Sequence, residues 1–226
     1  MTTRNTPFVS GEFYHVYNRG NSKQKIFLNN ADFDRFQMLL HLSNTPQTFN
    51  IRDVLKTTES VYDTDVPDAL VRIGAYCLMP NHFHMVLTPV VEGGLSKFML
   101  KLCTAYTMYF NTRHERSGAL YEGRFKAKYV DSDQYLKYLF SYIHLNPVSE
   151  KVDREFWLEK PIVHNSSRTY ERASTYLYSS LNEYLSPRAA LGLIDTSVYG
   201  MYFSDEMDVR RELFDWLEYE EAVRQP

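Results

Sequence analysis

Apolar positions along this chain switch between a period of about two and a period of about three and a half, and each switch marks an element. Glu12-Phe13-Tyr14-His15-Val16-Tyr17 has strand composition and is closed by the turn Asn18-Arg19-Gly20-Asn21. Phe33, Phe36, Leu39 and Leu40 then recur at helical spacing, with Asn30 as the cap. Residues 45–70 are polar, carry Pro46 and Pro67, and read as an insertion whose middle, Val54 to Tyr62, forms a short helix. Two further strands, Val71 to Leu78 and His82 to Thr88, flank the turn Pro80-Asn81. After Gly93-Gly94 a helix runs from Leu95 to Asn111, with Phe98, Leu102, Ala105 and Tyr109 inward, until Ser117-Gly118 breaks the pattern. Gly123 to Val130 is extended, and Asp131 or Ser132 caps a third helix that ends before Pro147.

The resulting order, β-α-β-β-α-β-α, predicts an α+β fold: a ferredoxin-like antiparallel sheet with helices packed on one face. That unit accounts for residues 1–150, with 45–70 inserted in it. Residues 151–226 follow as a mostly helical extension packed on the core, with Ser179 to Leu185 and Glu206 to Val223 as its candidate helices.

Composition narrows the setting. At 44% hydrophobic the chain has ample material for a core, and its 18 tyrosines outnumber its 14 phenylalanines, so many rings carry a hydroxyl. No apolar run approaches the roughly 20 residues of a membrane span, and the first residues lack the apolar stretch of a signal peptide. Cys77 and Cys103 sit in apolar segments as small core residues, which excludes a disulfide framework or a cysteine zinc site. A cytoplasmic protein is the expectation. The net charge of −3 is uneven: from Asp205 onward eight acids face three arginines, a tail of −5, and the remainder is +2. Basic residues gather at 19–25 and 113–128, and a local stripe matters more to a phosphate backbone than the total does.

The candidate chemistry lies in Pro80-Asn81-His82-Phe83-His84-Met85. In a strand, His82 and His84 share one face while Phe83, Met85 and Leu87 point the other way into a core. Two adjacent neutral imidazoles are what a divalent metal needs from a rigid support. For H-x-H alone, two histidines that merely alternate in a strand are an equal reading. On the third helix Tyr135, Tyr138, Leu139, Tyr142 and Asn146 form one stripe, beside Leu136, Phe140 and Ile143. Lys137, Ser141 and His144 fall on a far, polar side. Tyr142 and Asn146 are an i, i+4 pair able to reach one point, whereas His144 projects about 160° away from them. Tyr135 and Tyr138 read as packing residues.

His82-Phe83-His84 matches an H-U-H motif, U being a bulky apolar residue, and Tyr142-Ile143-His144-Leu145-Asn146-Pro147-Val148 matches the signature around a nucleophilic tyrosine. Tyr109-Phe110-Asn111, Ser117-Gly118 and Gly123-Arg124-Phe125 fall between them in the same order. Over roughly residues 8–185 the chain resembles the single-tyrosine HUH transposases of insertion sequences, and within them the REP-associated tyrosine transposases. The resemblance implies His82, His84 and Asn146 as ligands of Mg²⁺ or Mn²⁺ and Tyr142 as the nucleophile. The insertion-sequence relatives usually carry Gln where this chain has Asn146, which marks the REP-associated branch. Residues 45–70 and the acidic tail have no counterpart in the minimal pattern.

The implied activity is metal-dependent cutting and rejoining of single-stranded DNA beside hairpins, through a 5′-phosphotyrosine link. Arg19, Lys23, Arg124, Lys126 and Lys128 are the expected backbone contacts, and Tyr14 and Tyr17 are candidates for stacking on unpaired bases or for sheet packing. The expected partner is single-stranded DNA with REP-like hairpins, bound by a monomer or a homodimer. Two other readings stand beside this one: a hairpin-binding protein that does not cut, and a metal phosphoesterase that uses water, with Tyr142 structural.

Overall fold

The computed structural model describes residues 7–148, 166–186 and 191–224, so the expected boundary near residue 150 lies outside the described residues. Four strands, β1 (Tyr14–Arg19), β2 (Val71–Met79), β3 (His82–Pro89) and β4 (Lys126–Tyr129), form one sheet in the order β2-β3-β1-β4. Every neighbouring pair is antiparallel. With the helices α1 (Asn30–Leu42) and α3 (Gly94–Arg113) in the crossovers, this is the ferredoxin-like order expected.

The two faces of the sheet are covered differently from the expectation of helices on one side. Face one carries Val16, Tyr76, Leu78, Phe83, Met85 and Leu87 against Phe33, Phe36 and Leu40 of α1 and Phe98, Leu102, Tyr106 and Phe110 of α3. Tyr106 and Phe110 fill the lower part of α3's buried stripe. Ala105 and Tyr109, expected inward, lie at its margin, and the Tyr109 hydroxyl reaches Asp32.

Face two carries Ala75, Cys77, Met79 and Val86, and on it lies α4 (Asp133–Leu145), started by Ser132, whose hydroxyl accepts from the Tyr135 N–H. The helices α5 (Ser166–Ser174), α6 (Leu181–Leu185) and α7 (Glu206–Arg224) then close over α4. The side of α4 that reads as polar is therefore covered: Ser141 and His144 are buried, with His144 Nε2 2.7 Å from the Ser180 hydroxyl.

Gly74 lets β2 serve both faces. A register shift between Ile73 and Ala75 turns Ile73 toward α1 and α3 and Ala75 toward α4. A Cβ at Gly74 would sit 2.4 Å from Val198 Cγ1, so only glycine fits beneath that residue. The outer edge of β2 is closed by the segment before α6, through the Leu78 N–H to Tyr178 O and Ser180 N–H to Tyr76 O bonds. β4 is the open edge, and its exposed lysines are the usual guard of such an edge.

The 45–70 segment holds α2 (Ile51–Val54) and a 3₁₀ turn at Val61–Asp63 in place of one helix from Val54 to Tyr62. A small cluster of Leu42, Val54 and Val61 fixes it to α1 on the side of the molecule away from face two. Among the described residues no helix is long and apolar enough to cross a membrane.

Candidate active site

β3 enters the sheet at His82, directly opposite Arg19 on β1, and the pleat places His82 and His84 on face two while Phe83 and Met85 enter the face-one core. Their rings are 5.1 Å apart and nearly perpendicular. α4 crosses above them and brings the Tyr142 ring to 5.3 Å from His84, edge to face. One turn on, at the end of α4, Asn146 is 3% exposed. Its side chain lies close enough to the Tyr142 phenol to lower that group's pKa, as their i, i+4 spacing allows, while its own Oδ1 is buried without a partner. An orphaned, buried carbonyl oxygen one turn from the tyrosine that meets His84 is an acceptor that a cation would satisfy.

The imidazoles are held from behind. His82 Nδ1 lies 2.6 Å from Asn81 Oδ1. An amide oxygen only accepts, so His82 donates to it from Nδ1. The Asn81 amide nitrogen in turn reaches Lys23 O, which fixes that orientation. His84 Nδ1 lies 2.9 Å from His15 Nε2. Burial pushes the His84 ring well below the ordinary histidine range, with His82 and His15 adding to the shift. Burial, and then Lys128, push His15 down to about 4. Both rings of this pair are thus neutral at physiological pH, the state in which imidazole ligates.

Tyr142 moves the opposite way. Burial raises its phenol above the ordinary value, Tyr138 adds to this, and the Asn146 hydrogen bond opposes it. Tyr135, Tyr138 and Tyr142 stack along α4 with ring centroids 5.9 and 5.7 Å apart. Lys128 Nζ caps the row 4.3 Å above Tyr135, and Trp216 of α7 meets Tyr138 edge-on at 5.0 Å.

Among the described residues no three His, Cys, Asp or Glu side chains are placed to hold a metal together, so a metal held by His82 and His84 would need a donor of another type, and the unpartnered Asn146 oxygen is one of the right chemistry. Two imidazoles and an amide oxygen would suit a divalent ion such as Mg²⁺ or Mn²⁺. His144 plays no part here, buried as it is on the other side of α4.

Of the expected DNA contacts, Lys126 and Lys128 pair with Tyr17 and His15 across β4 and β1, which puts them on face two beside the histidines. Arg19 is at the end of β1 next to His82, Lys23 lies in the exposed turn that follows, and Arg124 leads into β4. Tyr17 is half-buried on the same face, 5.6 Å from His84. Tyr14 is a correction: it is buried on face one, and its hydroxyl accepts the Val9 N–H. His15 was absent from the expected site, although its signal was there, since it alternates with Tyr17 and Arg19 along one face of β1.

A family model for IS200-like transposases matches residues 14–146, which spans β1 through Asn146 and so takes in His15, His82, His84, Tyr142 and Asn146. The chain belongs to the IS200-like transposase family. Membership makes it a DNA transposase, an enzyme that cuts and joins DNA. A solved structure of a REP-associated tyrosine transposase bound to a REP hairpin is similar to this family member at 15% identity, over 84% of this chain and 88% of that one, with a TM-score of 0.48. No curated protein matches the chain.

Proposed function

We propose that this transposase is a metal-dependent single-stranded DNA endonuclease and strand transferase that cuts beside REP-like hairpins, with Tyr142 as nucleophile and His82, His84 and Asn146 as metal ligands. The observation that carries the reading is the joint placement of Tyr142 against His84 and of an unpartnered Asn146 oxygen, all on one face of the sheet.

The Tyr142 oxygen attacks the scissile phosphorus as its proton departs. The bond to the 3′ oxygen breaks, that oxygen takes up a proton, and the 5′ phosphate remains on the ring. Because the phosphodiester energy is retained in the phosphotyrosine, a later 3′-OH can displace the tyrosine and join a new end. Burial makes the phenol reluctant to ionise, so the Asn146 amide, donating to the phenol oxygen, stabilises the developing charge. A bound divalent ion would supply positive charge at the scissile phosphate and so lower the cost of the displacement. Lys126 and Lys128, with Arg19, Lys23 and Arg124, are proposed to hold the flanking backbone, and Tyr17 to meet an unpaired base.

The test is a labelled hairpin oligonucleotide incubated with the protein and Mn²⁺ and run on a denaturing gel. A protein–DNA adduct is expected from the wild type and none from Tyr142→Phe, which keeps the ring packing and loses only the oxygen. Adduct at the wild-type level from the variant would move the nucleophile elsewhere. Cut DNA without adduct would favour a water-using phosphoesterase.

A further inference from the structure

His15 touches the site without being able to serve as one more ligand of the same kind, because its Nε2 is already turned toward His84 Nδ1 at 2.9 Å. The two rings lie 5.1 Å apart and close to parallel, on neighbouring strands whose register fixes the contact. The same relation recurs one residue pair away, where Asn81 Oδ1 occupies His82 Nδ1 at 2.6 Å. Each imidazole of the pair is therefore engaged at the same nitrogen by a group behind it. Asn81 is an acceptor by chemistry.

We propose that His15 is a positioning residue whose Nε2 accepts the Nδ1–H of His84, holding that ring in the tautomer that leaves its Nε2 lone pair bare for the metal. The proposal rests on the reading of His82, His84 and Asn146 as ligands. A neutral imidazole carries one proton, so the nitrogen that is bare is decided by the hydrogen bond the other one makes. In the reverse arrangement His15 donates, His84 carries its proton on Nε2, and no lone pair faces the ion. His15 then differs from Asn81 in one respect. An amide oxygen accepts unconditionally, whereas His15 accepts only while its own proton is on Nδ1.

Two measurements test this, neither of which uses activity. Long-range ¹H–¹⁵N correlation of the metal-free wild-type protein reads the His84 tautomer directly: Nδ1–H is expected, and Nε2–H overturns the proposal even if every variant fails to fold. Calorimetric titration with Mn²⁺ reads affinity. His15→Leu fills the space without an acceptor and is expected to lose about 10–100-fold in affinity, while His15→Gln, whose amide oxygen reaches the position of Nε2, recovers most of it. His15→Leu with unchanged affinity and an unchanged His84 tautomer also overturns the proposal. His82→Ala in the same titration separates the two layers of the argument. If it binds Mn²⁺ as tightly as the wild type, the ligand reading itself fails. If it loses binding while His15→Leu does not, only the role of His15 fails.

Discussion

The Asn146 side chain bears on two things at once: it opposes the rise in the Tyr142 phenol's pKa, and its own Oδ1 is buried without a partner. Lengthening it to Gln keeps the amide but displaces it by one methylene, so Asn146→Gln is expected to retain a fraction of the adduct yield on the denaturing gel. His82→Ala or His84→Ala, or excess chelator, is expected to abolish cleavage while sparing most single-strand affinity in a gel-shift assay, because the proposed backbone contacts lie on β4 and the β1 turn. Full-rate cutting in chelator would remove the metal from the mechanism. A second residue shows the pH sensitivity of the structural side. Glu183 is buried beneath Tyr76 and the Leu193 N–H, and burial raises its carboxyl above the ordinary value despite the N–H bonds that oppose the shift. A raised folded value means a stabilising contribution that is present below the unfolded pKa, about 4.3, and is lost as pH rises through the folded value. The melting-temperature difference of Glu183→Gln relative to wild type is therefore expected to move in the variant's favour from about pH 4 to about pH 7. A difference that moves the other way would mean the N–H bonds outweigh burial.

At the scale of elements, β1, β2 and β3 were legible because period-two alternation and the turn residues Asn81 and Gly20 set their ends within two residues, whereas β4 begins three residues after Gly123. The H-x-H face followed from that alternation alone. The second helical layer was less legible. α5 has few apolar positions, and only its packing against Phe214 and the end of α4 gives it a place. Ser141 and His144 read as a polar face because the Ser180 hydroxyl that pairs with His144 Nε2 comes from 36 residues downstream. His15 shares one face of β1 with Tyr17 and Arg19, but no second histidine on that strand marks that alternation as part of a site. α7 docks on the core rather than standing as a solvated terminal helix: Val209 and Leu213 are buried, Trp216 and Leu217 pack beside them, and Glu212 pairs with Lys137 at 3.2 Å. Removing the tail would uncover that core, so its charge is better probed in place. Asp215→Asn combined with Glu218→Gln, both exposed, is expected to tighten single-strand binding at low salt and to leave it unchanged at high salt. Equal affinity and an equal salt slope for the two proteins would assign α7 to packing alone.

At the scale of the molecule, the site occupies the seam between a sheet and a helix that is itself clamped from outside. α4 buries Leu136, Leu139 and Ile143 on one flank and Phe140 and His144 beneath α6 and the residues around Tyr199 on the other. Each fully buried Leu, Ile or Phe contributes about 1.5–3 kcal/mol over exposure, so the outer clamp accounts for a large part of what holds α4 down. The family match ends at Asn146, with every proposed ligand and the nucleophile inside it, yet the clamp lies wholly beyond that point. A piece trimmed to residues 1–148 would thus keep all the chemistry and lose half of one wall. It is expected to titrate Mn²⁺ weakly, if it folds at all, and to bind the dye ANS strongly through the bared flank of Phe140. The smallest working form of such an enzyme is therefore set by the scaffold that seats Tyr142 and not by the span of its proposed reactive residues.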